Sequence, residues 1–185
     1  MNLMEAIEKR KSIRKFDSRK VDSKIIEEIL FNGSLAPSAK NRQPWRFVVI
    51  REDEGLKNKI ADIMLEKVED GIENNEEIES IKDTARIVKE APVLIVVFNS
   101  GDDGAINSNL QSIGACIQNI CLSAADLGVG SLWFCDISCC FREVEDLLGK
   151  NDISCVAGIS LGYPLEDPEA RPKFRLAVDE LTDWR

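Results

Sequence analysis

The stretch Arg10-Lys11-Ser12-Ile13-Arg14-Lys15-Phe16 concentrates positive charge in a chain of the opposite overall sign. Seven Lys or Arg residues and one acid lie between positions 9 and 20, whereas the 185-residue chain has a formal net charge of -9. In an extended segment alternate side chains share a face, so Arg10, Ser12 and Arg14 would point one way and Ile13 the other. At about 3.3 Å per residue, this edge spans roughly 13 Å, enough to touch the phosphate and the ring of a mononucleotide. The alternative that charge alone leaves open is a solvated basic surface.

Length and composition predict one globular domain, residues 1–185, because the chain is 44% hydrophobic and 31% charged. The acidic balance argues against nucleic acid or an anionic membrane as the main partner, since both would be repelled outside the basic stretch. The longest apolar run, residues 91–98, is too short to cross a bilayer, and the N-terminus does not have the pattern of a leader. We therefore expect a soluble cytoplasmic protein with small-molecule partners and no membrane contact.

The sequence contains six cysteines and no histidine. The cysteines lack CxxC spacing and lie in apolar contexts, which favours reduced core thiols over a structural metal or cluster. The absence of histidine excludes His-dependent triads, imidazole acid–base chemistry and zinc sites that require an imidazole. Chemistry in this protein is therefore expected to come from a cofactor.

Helices are predicted on both sides of the basic stretch, followed by a turn-rich loop. Asn2 and Glu5 form a capping pair for a short first helix, and Asp22 or Ser23 begins a second helix that ends near residues 33–37. Residues 36–45 then offer Ser38, Asn41 and Gln43 as hydrogen-bonding groups between prolines that restrict the loop. We interpret this loop as a recognition loop; an ordinary connector is the alternative, because the same residue types are common in turns.

The remaining sequence alternates buried strands with helices. Strands are predicted at residues 47–50, 92–98, 131–134 and 153–161, and residues 108–127 form a long helix with an apolar face that we expect to be buried, against a twin in a dimer. Residues 53–70 and 76–90 have helical periodicity and many acids, and are predicted to form an exposed helical flap. The glycine turn at residues 128–130 would let backbone amides approach a ligand.

A second basic cluster, Arg171-Pro172-Lys173-Phe174-Arg175, lies near the C-terminus. Its proline favours an extended chain, so Lys173 and Arg175 are predicted to join Arg10 and Ser12 around the same anion. The following tail, residues 177–184, carries apolar side chains that have no remaining segment to cover. We expect this tail to dock on a partner subunit.

Four separated motifs together resemble the FMN-dependent nitroreductase family. They are residues 10–16, the loop Ala36-Pro37-Ser38-Ala39-Lys40-Asn41-Arg42-Gln43-Pro44-Trp45, the strand Gly128-Val129-Gly130-Ser131-Leu132-Trp133, and Gly162-Tyr163-Pro164 followed by Lys173-Phe174-Arg175. They occur in the family's order over nearly the whole chain, and only residues 53–90 have no recognisable counterpart.

This resemblance implies an α+β fold with a nitroreductase-like mixed central β-sheet flanked by helices, in an interlocked homodimer with FMN at the subunit interface. By similarity, Arg10, Ser12, Lys173 and Arg175 would hold the phosphate, with Lys11 where the family often has a second Arg, and Arg14 would lie near the pyrimidine edge of the flavin. Pro37, Ser38, Ala39 and Asn41 would come from the other subunit with Gln43 nearby, and the backbone of Gly130, Ser131, Leu132 and Trp133 would pass the ring.

The implied activity is a ping-pong reduction of nitroaromatic or quinone-type acceptors by NADH or NADPH through FMN. A dianionic phosphate requires several cationic donors, and a fixed Arg14 would stabilise the negative charge that a reduced flavin gains. No side chain has to act as an acid, in agreement with the absence of histidine. Alternatives are another reaction on the same fold (reductive dehalogenation, flavin breakdown or substrate dehydrogenation) and a non-catalytic flavin-binding module.

Overall fold

A computed structural model describes residues 1–69, 71–72, 74–165 and 174–185. Within them the chain forms six α-helices and four β-strands. In chain order they are α1 (Leu3–Lys9), α2 (Ser23–Ser34), β1 (Trp45–Ile50), α3 (Glu54–Glu69), α4 (Asn75–Glu90), β2 (Val93–Asn99), α5 (Ile106–Asp126), β3 (Gly130–Phe134), α6 (Phe141–Leu148) and β4 (Ser154–Gly162). The predicted α+β class is confirmed. None of the helices in these residues is both long enough and apolar enough to cross a bilayer.

The four strands form one sheet in the order β1-β2-β4-β3, and each neighbouring pair is antiparallel. This differs from the mixed pairing that we expected. Strands β2 and β3 do run in the same direction across the α5 connection, but β4 lies between them and pairs with both. Among the described residues, parallel pairing is confined to an isolated bridge between Ser12 and Ser131.

Local sequence signals account for where the first helices begin. At α1 the Asn2 side chain accepts from the Glu5 N–H and the Glu5 carboxylate accepts from the Asn2 N–H, which completes the predicted capping box. At α2 the Asp22 carboxylate accepts from the Lys24 N–H. Both caps satisfy backbone donors that have no partner inside the helix.

Helices α2 and α5 cover one face of the sheet. Their apolar side chains pack on alternate residues of β2 and β4, because successive side chains of a strand point to opposite faces. The central members of this cluster are Ile29, Ile95, Val97, Ile113, Ile117, Ile120, Ala157 and Ile159. The long helix is therefore buried on its sheet side, as predicted.

Helices α3, α4 and α6 cover the opposite face, so the prediction of an exposed flap at residues 53–90 is wrong. Ile60 and Met64 of α3 and Val88 of α4 are fully buried against Leu94 and Val96 of β2. The acidic residues that suggested a flap lie on the outer side of the same helices, whose apolar stripes face the sheet. This pair of helices is therefore half of the core.

Candidate cofactor site

The basic stretch lies as a short extended segment beside β3. The backbone N–H of Ile13 donates to the carbonyl of Ser131 over 2.9 Å, and the Ser12–Ser131 bridge continues this contact. Ile13 is buried, whereas Ser12 and Arg14 are exposed. The predicted alternation of side chains is confirmed for these three residues, so a polar edge faces outward from the end of the sheet.

Two glycines make room for this segment. Gly130 and Gly162 are paired across β3 and β4. A Cβ atom on Gly130 would lie 2.8 Å from Cγ1 of Ile13, and one on Gly162 would lie 2.9 Å from the Phe16 ring. The space that we expected a ligand to use at Gly130 is therefore filled by Ile13, and the two glycines hold the basic segment against the sheet.

The far end of the segment is attached to the end of β4. Phe16 bridges Pro164, the Asp17 N–H donates to the Tyr163 carbonyl over 2.8 Å, and the Leu165 N–H donates to the Lys15 carbonyl over 3.3 Å. These contacts hold the chain just after β4, as far as Leu165, against the basic segment.

Arg10 and Lys11 are half-buried where α1 ends. Arg10 lies near the inner surface of α5. Burial raises the pKa of the Cys121 thiol, while the Ser131 hydroxyl and the charge of Arg10 act in the opposite direction. Ser131 is itself buried. Arg10 and Ser131 thus both lie near the Cys121 thiol.

The loop before β1 has a constrained backbone. Lys40, Asn41 and Gln43 all have φ near +50°, a region that non-glycine residues seldom adopt and that is frequent at binding sites.

Two hydrogen bonds also hold this loop. The Gln43 N–H donates to Ser38 Oγ over 3.0 Å. The Ala39 N–H donates to the Ser112 hydroxyl of α5 over 3.3 Å. Pro37, Asn41 and Gln43 are exposed, and Ser38 and Ala39 are half-buried. The loop is therefore fixed before any ligand binds, which favours recognition over a simple connection.

Strand β3 presents one aromatic side chain beside α5. Ser131 and Leu132 are buried, whereas Trp133 is 41% exposed. A Cβ atom on Gly114 would lie 3.9 Å from the Trp133 ring, so this ring lies over the small surface of α5.

One chain does not bring the loop and the basic segment to the same side of α5. Ser112, which binds the loop, and Cys121, which lies near Arg10, are nine positions apart in the sequence. At about 1.5 Å and 100° per residue, they are separated by about 13 Å along α5 and lie on opposite faces. The loop and Arg10 are therefore adjacent to different parts of α5.

The C-terminal cations are only partly described. Arg175 is exposed, and its guanidinium donates to the Phe174 carbonyl over 2.8 Å. Lys173 lies outside the described residues. The hydrogen bonds and ion pairs that residues 174–185 make with other described residues stay within this tail.

The six cysteines differ in burial, and Cys139 is half-buried. Cys116, Cys121, Cys140 and Cys155 are buried, as predicted for core thiols, and burial raises the pKa of Cys116 and Cys155 to about 12. Cys135, which follows β3, is exposed instead. Within the part of the chain that the structure describes, acidic residues and cysteines form no cluster able to hold a metal ion.

Sequence reasoning missed two contacts next to these elements. The Arg19 guanidinium lies 4.4 Å from the centre of the Tyr163 ring. The Asp136 carboxylate, just after β3, accepts from the hydroxyls of Ser80 and Thr84 on α4. The only signal for the first contact was the Gly162-Tyr163-Pro164 motif, which gave no partner, and no sequence signal indicated the second.

Comparisons with known proteins connect this geometry to a family. The sequence profile of the Nitroreductase family matches residues 7–163. A Methanothermobacter thermautotrophicus protein assigned as an NADH dehydrogenase/NAD(P)H nitroreductase is 31% identical over 100% of this chain and 88% of its own length. The iodotyrosine deiodinase of Thermotoga neapolitana is 29% identical over 93% of this chain and 92% of its own length.

A solved structure gives the same result. A Desulfovibrio desulfuricans protein assigned as a nitroreductase, crystallised in complex with FMN, superposes with a TM-score of 0.77 at 28% identity, covering 100% of this chain and 98% of that one. The FMN in that structure and the NAD(P)H in the name of the Methanothermobacter protein agree with the cofactors that the sequence predicts. The resemblance inferred from the four motifs is thus confirmed, and the chain belongs to the nitroreductase family.

Proposed function

We propose that the protein is an FMN-dependent oxidoreductase that uses NADH or NADPH to reduce nitroaromatic or quinone-type acceptors by ping-pong hydride transfer. The observation that carries the proposal is the exposed edge formed by Ser12 and Arg14, fixed to Ser131 at the end of the sheet. Such an edge offers a hydroxyl and a planar cation to a phosphorylated ring in a fixed geometry.

The residues present fit the chemistry of FMN. The cofactor's phosphate is dianionic, and Arg10, Lys11 and Arg14 provide cations within one short segment of an otherwise acidic chain. Lys173 and Arg175 complete the phosphate subsite in this proposal. The backbone of Ser131, Leu132 and Trp133 then borders the ring. When bound, FMN supplies the redox chemistry.

The chain's own residues position the cofactor and exclude water. Arg14 is the cation that would offset negative charge at the ring's pyrimidine edge, because a preorganised charge needs no rearrangement during the reaction. Pro37, Ser38, Ala39, Asn41 and Gln43 belong to the preformed loop, which a partner chain contributes in this proposal. The half-exposed Trp133 forms an apolar boundary beside the ring position.

The same proposal includes a homodimer. The opposite placement of the loop and the basic segment on α5 supports it, since a second copy would bring its own loop to the basic segment. Apolar side chains left exposed on the outer side of α1, α2 and α5 and in the C-terminal tail also support it. They are Leu3, Met4, Ile7, Phe31, Leu35, Ile106, Leu110, Phe174, Leu176, Val178, Leu181 and Trp184.

Reconstitution with FMN tests the activity. We expect the dimeric protein to bind FMN, turn yellow, and lose its visible flavin absorption under anaerobic conditions when NADH or NADPH is added. Addition of a nitroaromatic compound or a quinone should then restore the absorption. A protein that stays colourless after reconstitution would refute the proposal, and a yellow protein that neither nicotinamide reduces would indicate a flavin-binding module.

Substitutions at Arg14 and Lys173 test the cofactor assignment, and a substitution at Lys15 is the matched control for Arg14. We expect Arg14→Ala to weaken FMN binding by about 1.5 to 3 kcal/mol, the range for hydrogen bonds to charged groups, and Lys173→Ala to do the same. Lys15→Ala removes the same charge from the next position, which is also exposed, and should leave the FMN affinity nearly unchanged. Equal losses in Arg14→Ala and Lys15→Ala, measured by fluorescence quenching of FMN, would show that only net charge matters.

Reductive dehalogenation is the second candidate. The 29% identity to the Thermotoga iodotyrosine deiodinase over 93% of this chain favours it. Iodotyrosine and a nitroaromatic compound should be offered in turn to the anaerobically reduced, FMN-loaded protein. Release of iodide with faster reoxidation by iodotyrosine would favour the dehalogenase, and faster reoxidation by the nitroaromatic compound would favour the nitroreductase.

A further inference from the structure

A cleft of about 320 Å³ lies at the end of the sheet where β1 begins and β2 ends. Its walls come from these two strands and from the turn between α6 and β4. Arg46 of β1 is paired there with Phe98 of β2, and the register between β2 and β4 shifts at Phe98. Such bulges are frequent beside binding sites. The volume of the cleft is at the lower end of the range for small-molecule pockets, about 300 to 1,000 Å³.

The inner wall of the cleft is apolar. Phe98 is fully buried, and Val48 and Ile153 are half-buried. All three belong to the apolar cluster under α3, α4 and α6. A hydrocarbon or aromatic group placed here would leave water and contact this cluster, which is a favourable transfer. The cleft is therefore suited to a ligand that has an apolar part.

The rim of the cleft carries two cations, one hydroxyl and one carboxylate, which belong to Arg46, Lys150, Ser100 and Asp152. Among the described residues, neither Arg46 nor Lys150 forms an ion pair. Two positive charges and one negative charge give the rim a formal net charge of +1, whereas the whole chain has -9. A ligand with a single negative charge balances this rim, and Asp152 would repel a second charge.

Two polar groups of the rim are held in place by the loop before β1. Arg46 Nη1 donates to the carbonyls of Gln43 over 3.1 Å and Trp45 over 2.7 Å. The Ser100 hydroxyl and N–H both donate to the Pro44 carbonyl, over 3.1 and 2.8 Å. Nε and Nη2 of Arg46 have no acceptor among the described residues. These donors can bind a carboxylate, which is able to accept two parallel hydrogen bonds from one guanidinium.

We propose that this cleft is an accessory binding site for a small organic monocarboxylate. The carboxylate binds Arg46 and Lys150, and the apolar part of the ligand packs against Phe98. None of the residues that line the cleft is among those proposed to hold FMN. This inference therefore goes beyond the proposed function and does not depend on it.

Titration with benzoate tests the site, and benzamide is the matched probe that keeps the shape and lacks the charge. The protein is first saturated with FMN, so that the cations proposed to hold the cofactor are not left open to benzoate. We expect saturable binding of benzoate by isothermal titration calorimetry. Benzamide should bind at least about 10-fold more weakly, the lower end of the range for hydrogen bonds to a charged group.

Substitutions on the rim locate the binding. Arg46→Met should weaken benzoate binding by about 10-fold and Lys150→Met by about 2- to 5-fold, as expected for a hydrogen bond to a charged group and for an exposed ion pair. Asp152→Asn removes the repelling charge and should strengthen it. Arg51→Met, just beyond the other end of β1, is the matched control and should leave it unchanged. Lys150→Met is the stricter test, because Arg46→Met also removes two hydrogen bonds to the loop.

The possible outcomes either support or overturn the site. Benzoate binding that is absent from the folded wild type, is equalled by benzamide, or is unchanged in Arg46→Met or Lys150→Met overturns it. Inorganic phosphate that binds more tightly than benzoate in a parallel titration overturns the assignment to a monocarboxylate. The proposed function fails separately, through a protein that binds no FMN. Circular dichroism and the melting temperature establish that each variant is folded.

Discussion

The two faces of the sheet are covered by helices with very different outer surfaces. Outside α3 and α4 the exposed side chains form ion pairs, among them Lys89 with Asp62 and Arg86 with Glu90. Outside α2 and α5 the exposed side chains include Phe31, Leu35 and Leu110. Both helical layers bury apolar inner stripes, so the clearer difference lies in their outer surfaces.

This difference indicates what each layer faces. Charged side chains on the outer side of a helix are stable in water and add a few tenths of a kcal/mol through neighbouring pairs. A contiguous apolar surface is instead typical of an interface. The α3–α4 layer is therefore suited to face water, and the α2–α5 layer is the one that the proposed dimer would cover.

The largest expected effect tests whether both layers belong to the core. Ile60→Ala in α3 and Ile117→Ala in α5 should each lower the free energy of unfolding by about 2 to 5 kcal/mol, because both side chains are fully buried. Urea denaturation followed by circular dichroism at one protein concentration measures this loss. An Ile60→Ala variant as stable as the wild type would restore the idea that residues 53–90 are a peripheral flap.

The second-largest expected effect tests the proposed dimer interface on α5. Leu110→Glu places a charge on the apolar outer side of α5 and should weaken dimerisation by at least about 100-fold, or about 2.7 kcal/mol. FMN binding should weaken with it, because each site would lose the partner's loop. Lys89→Glu on α4 is the matched control and should leave the mass in solution unchanged. Light scattering after size exclusion gives the result, and a dimer that persists in Leu110→Glu would place the interface elsewhere.

The smallest effect concerns the charged layer. The Lys89–Asp62 pair joins α4 to α3 over 2.6 Å, but the two side chains are 37% and 56% exposed. An ion pair so open to water contributes about 0.2 to 1 kcal/mol. Asp62→Ala should thus lower the melting temperature slightly at low salt and hardly at all in high salt. A large loss that salt does not reduce would show that this layer is not simply solvated.

Much of the fold could be predicted where the local sequence determines the structure. The Asn2–Glu5 and Asp22 caps, the buried strand after Pro92 and the alternation at Ser12, Ile13 and Arg14 all follow from spacing and residue type. The four motifs also identified the family, because each places unusual residues in a fixed order along the chain.

The rest depends on contacts between distant residues. The acids of α3 and α4 indicated exposure, but only the packed structure shows that the opposite stripe covers β2. The sequence did not predict that the Ile13 side chain occupies the space beside Gly130, since a glycine leaves room for a ligand or a side chain equally well. Likewise, no local pattern joins Arg19 to Tyr163. Strand order follows from which strand pairs with β4, and the sequence of a single strand does not specify its neighbours.

The three tryptophans occupy three different environments. Trp45 is 5% exposed in the core, Trp133 is 41% exposed at the end of the sheet, and Trp184 is 84% exposed in the C-terminal tail. Indole emission shifts to shorter wavelength when the ring leaves water. Native fluorescence therefore contains a separate reporter for folding, for occupation of the site and for docking of the tail, and single Trp→Phe replacements would allow each signal to be recorded without an added dye.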